Sequence, residues 1–207
     1  TLNNITYDVF SHLIVACLLL LIGSGILLYF ITSYLKKRNL YEDKLIKLST
    51  TDELTGLYNR SAFHEKMTAE IERSRRLGNG FSILYLDLDG FKAVNDTQGH
   101  EAGDQVLREV ASILNNTCRT NDIKARFGGD EFVVLLFDTD KKSDALNAAK
   151  NIEEAIYKLG HNQPSIDASI GISMWPTDSI DARELIQKAD AAMYKAKRSP
   201  EHKIVFA

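Results

Sequence analysis

The sequence predicts an α/β (α+β) domain in which helices flank a mixed sheet, preceded by one transmembrane helix. The first observation is a stretch of 27 residues, Val9 to Leu35, that contains no Asp, Glu, Lys or Arg. The second is that short apolar segments alternate with amphipathic helical ones over the rest of the 207 residues, as in α/β domains. The third is Gly128-Gly129 between two β-rich segments, which indicates a tight hairpin and therefore an antiparallel pair of strands.

Residues 13–35 are predicted to form the transmembrane helix. The 19 residues from Leu13 to Ile31 are almost all apolar, and at about 1.5 Å per residue they extend roughly 28 Å, close to the thickness of the hydrocarbon core of a bilayer. A buried core helix would be shorter and apolar on one side only. A signal peptide would carry its basic residues before the apolar stretch, whereas here Lys36-Lys37-Arg38 follow it.

The position of these basic residues predicts where the flanking parts lie. Because basic residues mark the cytoplasmic side, we expect a single visible span in the inner (cytoplasmic) membrane, with the C-terminal domain in the cytoplasm. Residues 1–12 form an extracytoplasmic flank, which we expect to be truncated because the sequence starts at Thr1 rather than Met. Residues 36–51 are charged, with interspersed Leu and Ile and no Gly or Pro, and they predict a helical stalk.

Charge and cysteine content distinguish the two parts. The chain has a net charge of -3, to which residues 1–50 contribute five basic and three acidic side chains and residues 51–207 contribute 20 and 25. An acidic domain does not fit a binder of nucleic-acid polymers, whose phosphates require an excess of Lys and Arg. Cys17 lies in the apolar stretch and Cys118 in the cytosolic part, so no disulfide is expected.

Periodicity and turn residues locate the elements of the domain. Apolar residues at helical spacing predict helices over Ser61–Leu77, Glu101–Asn116, Ser143–Leu159 and Ala182–Lys197. Short apolar segments rich in β-formers predict strands over Phe81–Leu86, Ile123–Phe127, Phe132–Phe137, Ile166–Met174 and Lys203–Phe206. A further helix or turn begins near Lys92.

Acidic side chains gather at the ends of two of these strands. Asp87 and Asp89 follow the strand over Phe81–Leu86, and Asp130-Glu131 follow the Gly-Gly turn. If the strands are neighbours, the carboxylates repel one another unless a cation lies between them, and oxygen ligands favour Mg²⁺ or Mn²⁺. The alternatives are acids that only mark turns and a calcium loop, whose other ligands are absent here.

A phosphate ligand would not be held by a glycine-rich loop in this chain. Neither G-x-x-x-x-G-K-[ST] nor G-x-G-x-x-G occurs in the sequence. Phosphates would instead require metals, the backbone amides after Asp89, and lysines such as Lys92.

Five segments in order carry a family resemblance. They are Asp52-Glu-Leu-Thr-Gly-Leu-Tyr-Asn-Arg60, Asp87-Leu-Asp-Gly-Phe-Lys92 with Asn95, His100 and Asp104 after it, Gly128-Gly-Asp-Glu-Phe132, Ser169-Ile-Gly-Ile-Ser173, and Ala189-Asp-x-x-Met193-Tyr-x-x-Lys197. Residues 52–207 therefore resemble the GGDEF domain, the diguanylate cyclase family. The resemblance implies a fold like the palm of nucleotide polymerases and the adenylate cyclase core, and the condensation of two GTP into cyclic di-GMP and two pyrophosphates with Mg²⁺ or Mn²⁺.

The resemblance also implies roles for the acidic residues. Asp87, the backbone carbonyl of Leu88 and Asp130 would hold the metals, whereas strand periodicity alone would pair Asp87 with Asp89. Asp130 would help to remove the proton of the 3′-hydroxyl, and Glu131 would contribute to metal binding or to acid–base chemistry. Lys92 would stabilise charge on the phosphates.

A second group of residues is implied to bind substrate. Asn95 and Asp104 correspond to the guanine-reading pair, with His100 near the same pocket, and a carboxylate suits the N1–H and 2-amino donors of guanine. Phe91 and Lys197 complete the implied substrate contacts. For Asn95 and Asp104 taken alone, capping of the helix near Glu101 is the alternative.

The remaining implications concern regulation and one departure from the family. Arg119 and Asp122 form an R-x-x-D pattern nine residues before Gly128, which resembles the site where product inhibits these enzymes. A homodimer is implied because each protomer holds one GTP.

Glu201 stands where the family commonly has a phosphate-binding Arg, and Arg198 is the nearest substitute. The alternatives are a non-catalytic receptor for GTP or cyclic di-GMP that regulates a partner protein, and a tethered interaction domain.

Overall fold

The structure is a computed structural model that describes residues 12, 24–26, 28–38, 50–159, 166–199 and 202–207. The chain divides into two compact units, 1–47 and 48–207. In the first unit, residues 24–26 and 28–38 are helical and exposed. No helix among the residues described is long and apolar enough to cross a bilayer. Residues 13–23 and 27 of the predicted transmembrane helix, 1–11 of the flank and 39–49 of the stalk lie outside the described residues.

The second unit is built on a six-stranded mixed sheet. Its strands are β1 (Tyr58–Asn59), β2 (Phe81–Asp89), β3 (Ile123–Gly128), β4 (Glu131–Leu136), β5 (Asp167–Trp175) and β6 (Ile204–Phe206), in the spatial order β1-β3-β4-β2-β5-β6. The central strand β2 is antiparallel to β4 and β5, the β3–β4 hairpin is antiparallel, and the two edge strands pair in parallel. The predicted mixed sheet is confirmed.

Five helices cover the two faces of this sheet. They are α1 (Arg60–Leu77), α2 (Phe91–Gln98), α3 (His100–Thr117), α4 (Lys142–Leu159) and α5 (Ala182–Lys197). Four of them match the predicted helices to within one residue at each end. The structure adds β1, shows that the helix or turn expected near Lys92 is the helix α2, and extends β2 from the predicted end at Leu86 to Asp89. Residues 160–165 and 200–201 lie outside the description.

Alternate residues of β2 face two separate hydrophobic cores. Leu84, Leu86 and Leu88 pack with residues of α3 and α4 on one face. Ile83 and Tyr85 pack with residues of α1 and α5 on the other face. Because both faces are covered, residues 81–88 are all buried, and the strand has a continuous apolar sequence instead of a polar–apolar alternation.

Close packing of α5 on the sheet depends on Gly171 in β5. A Cβ atom at this position would lie 1.9 Å from the carbonyl oxygen of Ala189 and 2.2 Å from the amide nitrogen of Met193, which no side chain tolerates. The missing side chain therefore lets the backbone of α5 lie directly on β5. This contact carries the last turn of α5 to the end of the sheet where β2 reaches its acidic residues.

Candidate active site

The predicted carboxylates converge at one end of the sheet. Asp87 in β2 is paired across the strands with Glu131 in β4, and Leu88 N–H donates to the carbonyl oxygen of Asp130 at 3.3 Å. The N–H and C=O of one strand residue point to the same side, so the Leu88 carbonyl faces the Gly-Gly turn. Burial, with the charge of Asp87, raises the pKa of Asp130.

Lys197 from the last turn of α5 contacts this cluster directly. Its Nζ donates to Oδ1 of Asp87 at 2.6 Å. Burial lowers the pKa of Lys197, but the hydrogen bond to Asp87 and the charges of Asp87 and Asp130 outweigh it and raise the pKa overall. The ammonium group thus occupies a position beside Asp87 where a bound cation would also be stabilised.

Asp89 is committed to different partners from Asp87. Its Oδ2 accepts hydrogen bonds from the Ser169 hydroxyl at 2.8 Å and from Lys203 Nζ at 2.7 Å. Lys203 also lies 3.8 Å from Oδ2 of Asp167. The pairing of Asp87 with Asp89, which strand periodicity alone suggests, therefore gives way to two separate ion pairs, and Asp130 is the carboxylate whose charge interacts with Asp87.

Glu131 is held by a residue that the sequence did not single out. The Tyr85 hydroxyl donates to Oε2 of Glu131 at 3.2 Å. Burial, followed by the charges of Glu131 and Asp190, raises the pKa of Tyr85, so the hydroxyl keeps its proton. The pKa of Glu131 is raised, first by burial, although the bond from Tyr85 opposes this. Tyr85 escaped notice because a tyrosine within an apolar strand is indistinguishable from a core residue in sequence.

The donor set fits a magnesium-type ion. Among the residues described, no three His, Cys, Asp or Glu side chains are grouped to hold a metal. The set predicted here is smaller, two carboxylates and one peptide carbonyl, and Mg²⁺ is commonly bound by one or two carboxylates together with substrate phosphates. The raised pKa of Asp130 beside Asp87 and the cationic Lys197 at Asp87 both indicate a position that favours positive charge.

The predicted guanine-reading residues are brought together by a helical hairpin. Asn95 is on α2 and Asp104 is on α3, and Gly99 joins the helices with a φ of 87°. A Cβ atom at Gly103 would lie 2.0 Å from Oδ1 of Asn95 and 3.3 Å from Cζ of Phe91. Gly103, which was not among the residues predicted from the sequence, therefore allows Asn95 to lie against α3 at the residue that precedes Asp104.

Three further predicted residues lie at the starts of these helices. Lys92 is exposed in the first turn of α2, Phe91 is partly buried against the core, and His100 is exposed as the first residue of α3. Helix α2 follows Gly90, whose φ of 84° turns the chain out of β2. No side chain caps the N–H groups in the first turn of α2. These N–H groups follow closely after Asp89, as expected for an anion site at a helix start.

Comparison with known proteins identifies the family. Residues 49–203 match the family described as diguanylate cyclase, GGDEF domain, which is most of the chain. The chain belongs to the GGDEF family. The predicted resemblance is thereby confirmed for residues 49–203.

Individual relatives of this GGDEF domain agree with that assignment. The chain is 42% identical over 157 residues to the bifunctional diguanylate cyclase/cyclic di-GMP phosphodiesterase MucR of Pseudomonas aeruginosa, covering 74% of this chain and 23% of MucR. It is 35% identical over 178 residues to the probable diguanylate cyclase DgcC of Escherichia coli, covering 84% of this chain and 48% of DgcC. The chain thus spans less than half the length of these two relatives.

A solved structure has the same fold. The crystal structure of the coiled coil and GGDEF domain of DgcB from Caulobacter crescentus, in complex with c-di-GMP, superposes with a TM-score of 0.77 at 28% identity. The match covers 87% of this chain and 97% of that one. The palm-like mixed sheet predicted from the resemblance is therefore the fold of the GGDEF domain here.

The loop at the start of the GGDEF domain is tied to the signature turn by Arg126. Asp52 accepts hydrogen bonds from the N–H and hydroxyl of Thr55, at 2.9 and 2.6 Å. Arg126 NH1 lies 3.2 Å from both oxygens of Asp52, while its NH2 donates to the Gly129 carbonyl at 2.7 Å. Burial raises the pKa of Asp52, but the bonds from Thr55 and Arg126 lower it overall. Arg126 precedes the signature by two residues but was not among the residues predicted from the sequence.

The two residues of the R-x-x-D pattern occupy different environments in the GGDEF domain. Arg119 is exposed. Asp122 is buried at 5% exposure, and its carboxylate accepts the backbone N–H of Arg119 at 2.8 Å and of Phe137 at 3.1 Å. Asp122 therefore holds the turn, and Arg119 extends from it. Glu201, the departure noted in the sequence, lies outside the described residues, and Arg198 lies over the Tyr194 ring at 5.9 Å.

Proposed function

We propose that the chain is a diguanylate cyclase, which condenses two GTP into cyclic di-GMP and two pyrophosphates. The observation that carries the proposal is the convergence of Asp87, Asp130 and Glu131 where β2 ends and β4 begins, directly before the start of α2. Membership of the GGDEF family supports it, as does the similarity to relatives named for cyclic di-GMP synthesis.

Asp130 is the proposed proton acceptor. It takes the proton of the 3′-hydroxyl of one GTP, the freed oxygen attacks the α-phosphorus of the second GTP, and the bond to the β-phosphate breaks to release pyrophosphate. A carboxylate within reach of the hydroxyl can act as a general base. Mg²⁺ or Mn²⁺, held by Asp87, the Leu88 carbonyl and Asp130, would supply Lewis-acid polarisation of the phosphate.

Binding of GTP is assigned to α2 and α3. The N–H groups of the first turn of α2 and the ammonium of Lys92 face anionic phosphates. Asp104 accepts hydrogen bonds from guanine N1–H and the 2-amino group, which adenine does not offer in that pattern, and Asn95 reads the same base. His100, Phe91 and Lys197 border the substrate.

The reaction requires two copies of the chain. Each domain binds one GTP, so the two sites must face each other for each 3′-hydroxyl to reach the other α-phosphorus. We assign residues 13–35 to a transmembrane helix in the inner membrane and 36–51 to a stalk that controls whether the domains meet in the cytoplasm. We assign Arg119, supported by Asp122, to an inhibitory site for the product.

The test is product formation by the purified full chain. Incubation with GTP and Mg²⁺ is expected to yield cyclic di-GMP and pyrophosphate, which chromatography resolves. Asp130→Ala removes the proton acceptor and should lower the rate by about 10²–10⁴-fold. Asp140→Ala is the matched control, because Asp140 is an exposed carboxylate beyond the opposite end of β4, and it should keep the wild-type rate.

A non-catalytic receptor for GTP or cyclic di-GMP that regulates a partner protein is the second candidate. In such a receptor, Asp87 would serve as the ion-pair partner of Lys197 and would hold no metal. Binding of GTP to the wild-type protein can be measured by calorimetry. If the protein binds GTP but forms no cyclic di-GMP, the receptor function is supported and the cyclase function is contradicted.

A further inference from the structure

Packing alone does not explain why residue 85 is a tyrosine and not a phenylalanine. Tyr85 is 6% exposed and lies between α1 and α5 among apolar residues of the sheet. Its ring meets Phe127 edge to face, with centroids 5.8 Å apart. A phenylalanine would make all of these contacts. What the hydroxyl adds is its hydrogen bond to Oε2 of Glu131 at 3.2 Å.

Glu131 is surrounded by negative charge. Asp87 is opposite it across the strands, Asp130 precedes it in the chain, and the charge of Asp190 on α5 also acts on it. Among the residues that the structure describes, the Tyr85 hydroxyl is the donor to this carboxylate. A glutamate side chain has three rotatable bonds and loses order readily without such a partner.

We propose that Tyr85 is a positioning residue for Glu131 in the cyclase reaction. Its hydroxyl fixes Oε2, so the carboxylate keeps one orientation and Oε1 remains available to the reacting groups at the end of β2. Tyr85 touches neither metal nor substrate and acts through Glu131. This inference rests on the proposed function, because it gives Glu131 a part in the chemical step.

A double-mutant cycle tests the proposal on the full chain. Tyr85→Phe should lower kcat about tenfold, the range expected for loss of a hydrogen bond to a charged group, and should leave KM for GTP within about twofold. In the Glu131→Gln background, Tyr85→Phe should cause no further loss, because the group through which it acts is already disabled. Unfolding of the same four proteins, measured by denaturant titration, should show coupling between the two positions.

The controls separate positioning from folding. Tyr58→Phe removes the hydroxyl of a partly buried tyrosine that packs on the same core and should keep wild-type kcat. If Tyr85→Phe does not fold, Tyr85→Met replaces it, because methionine adapts to irregular space. The proposal is overturned if kcat stays within twofold of wild type, or if the losses of Tyr85→Phe and Glu131→Gln simply add. An inactive wild type would instead overturn the proposed function and, with it, the part given to Glu131.

Discussion

Lys197 occupies the carboxylate that the proposed divalent cation would bind. The Lys197 ammonium lies 2.6 Å from Oδ1 of Asp87, and its side chain is 43% exposed. It is anchored only by the last turn of α5, so it can move away without disturbing the core. Without a metal, the lysine relieves the repulsion between Asp87 and Asp130. If Asp87 held a metal together with GTP, the ammonium would be released to contact a phosphate, in line with the substrate contact that the family resemblance implies for Lys197.

Lys197→Gln should therefore have opposite effects on two ligands. Loss of the ammonium leaves Asp87 and Asp130 uncompensated, so affinity for Mn²⁺ without nucleotide should rise, by roughly three- to tenfold for a partly exposed charge pair. Affinity for GTP should fall, because a cation near the phosphates is lost. Electron paramagnetic resonance of free Mn²⁺ measures the first effect and calorimetry the second.

Lys195→Gln provides the matched control. Lys195 is exposed in the same turn of α5, and its loss changes the net charge equally without removing a contact to Asp87. It should leave the affinity for Mn²⁺ close to that of wild type. Equal or weaker binding of Mn²⁺ by Lys197→Gln would contradict the competition.

The sequence predicted part of this site for a clear physical reason. Asp87 follows an apolar segment and Asp130 directly precedes another, and strands that pair must bring the polar residues at their ends together. The partners of these acids were not predictable in the same way. Lys197 is 110 residues from Asp87 along the chain, and only the packing of α5 on Gly171 brings it there. In the sequence, Tyr85 looks like any core residue. Its role becomes visible only in the structure, where its hydroxyl donates a hydrogen bond to Glu131.

At the scale of elements, the α2–α3 hairpin orders the two residues proposed to read guanine. Asn95 and Asp104 belong to different helices, so their separation depends on how closely the helices approach. Gly103 sets this approach, because a Cβ atom there would lie 2.0 Å from Oδ1 of Asn95. A side chain at position 103 would therefore force the side chain of Asn95 or the backbone of α2 to move.

Gly103→Ala should therefore weaken recognition of GTP. Displacement of Asn95 should raise KM for GTP about tenfold, and overpacking should lower the free energy of unfolding by about 1–3 kcal/mol. Steady-state kinetics and denaturant titration measure the two effects. In the Asn95→Ala background the clash is removed, so Gly103→Ala should then have little further effect on KM. An equal increase of KM in both backgrounds would contradict this account.

Long periodic elements were predictable and short ones were not. Helices such as α3 and α4 repeat apolar residues over 18 positions, enough to define a period. β1 has two residues and α2 has eight, too few for a pattern to stand out. The position of β1 beside β3 follows from pairing of Tyr58 with Ala125, a contact between distant residues that local sequence does not encode.

At the scale of the whole molecule, the proposed reaction and its regulation use different surfaces. The acidic end of the sheet carries Asp87 and Asp130, whereas Arg119 projects from the turn between α3 and β3. A product bound at Arg119 would therefore leave the proposed catalytic groups of its own domain untouched. Inhibition from that position would act on how two copies of the chain meet, which is where the proposed reaction needs them.

Arg119 and Asp122 should consequently respond differently to mutation. Arg119→Ala removes an exposed side chain, so the initial rate of cyclic di-GMP formation and the thermal stability should match wild type, while product should accumulate to a higher steady level. Asp122→Ala leaves the N–H groups of Arg119 and Phe137 without their acceptor and should lower the free energy of unfolding by about 1–3 kcal/mol. Progress curves with and without added cyclic di-GMP, together with thermal melts, measure both. If Arg119→Ala is inhibited by cyclic di-GMP as strongly as wild type, the product binds elsewhere and the R-x-x-D pattern serves only to hold the turn.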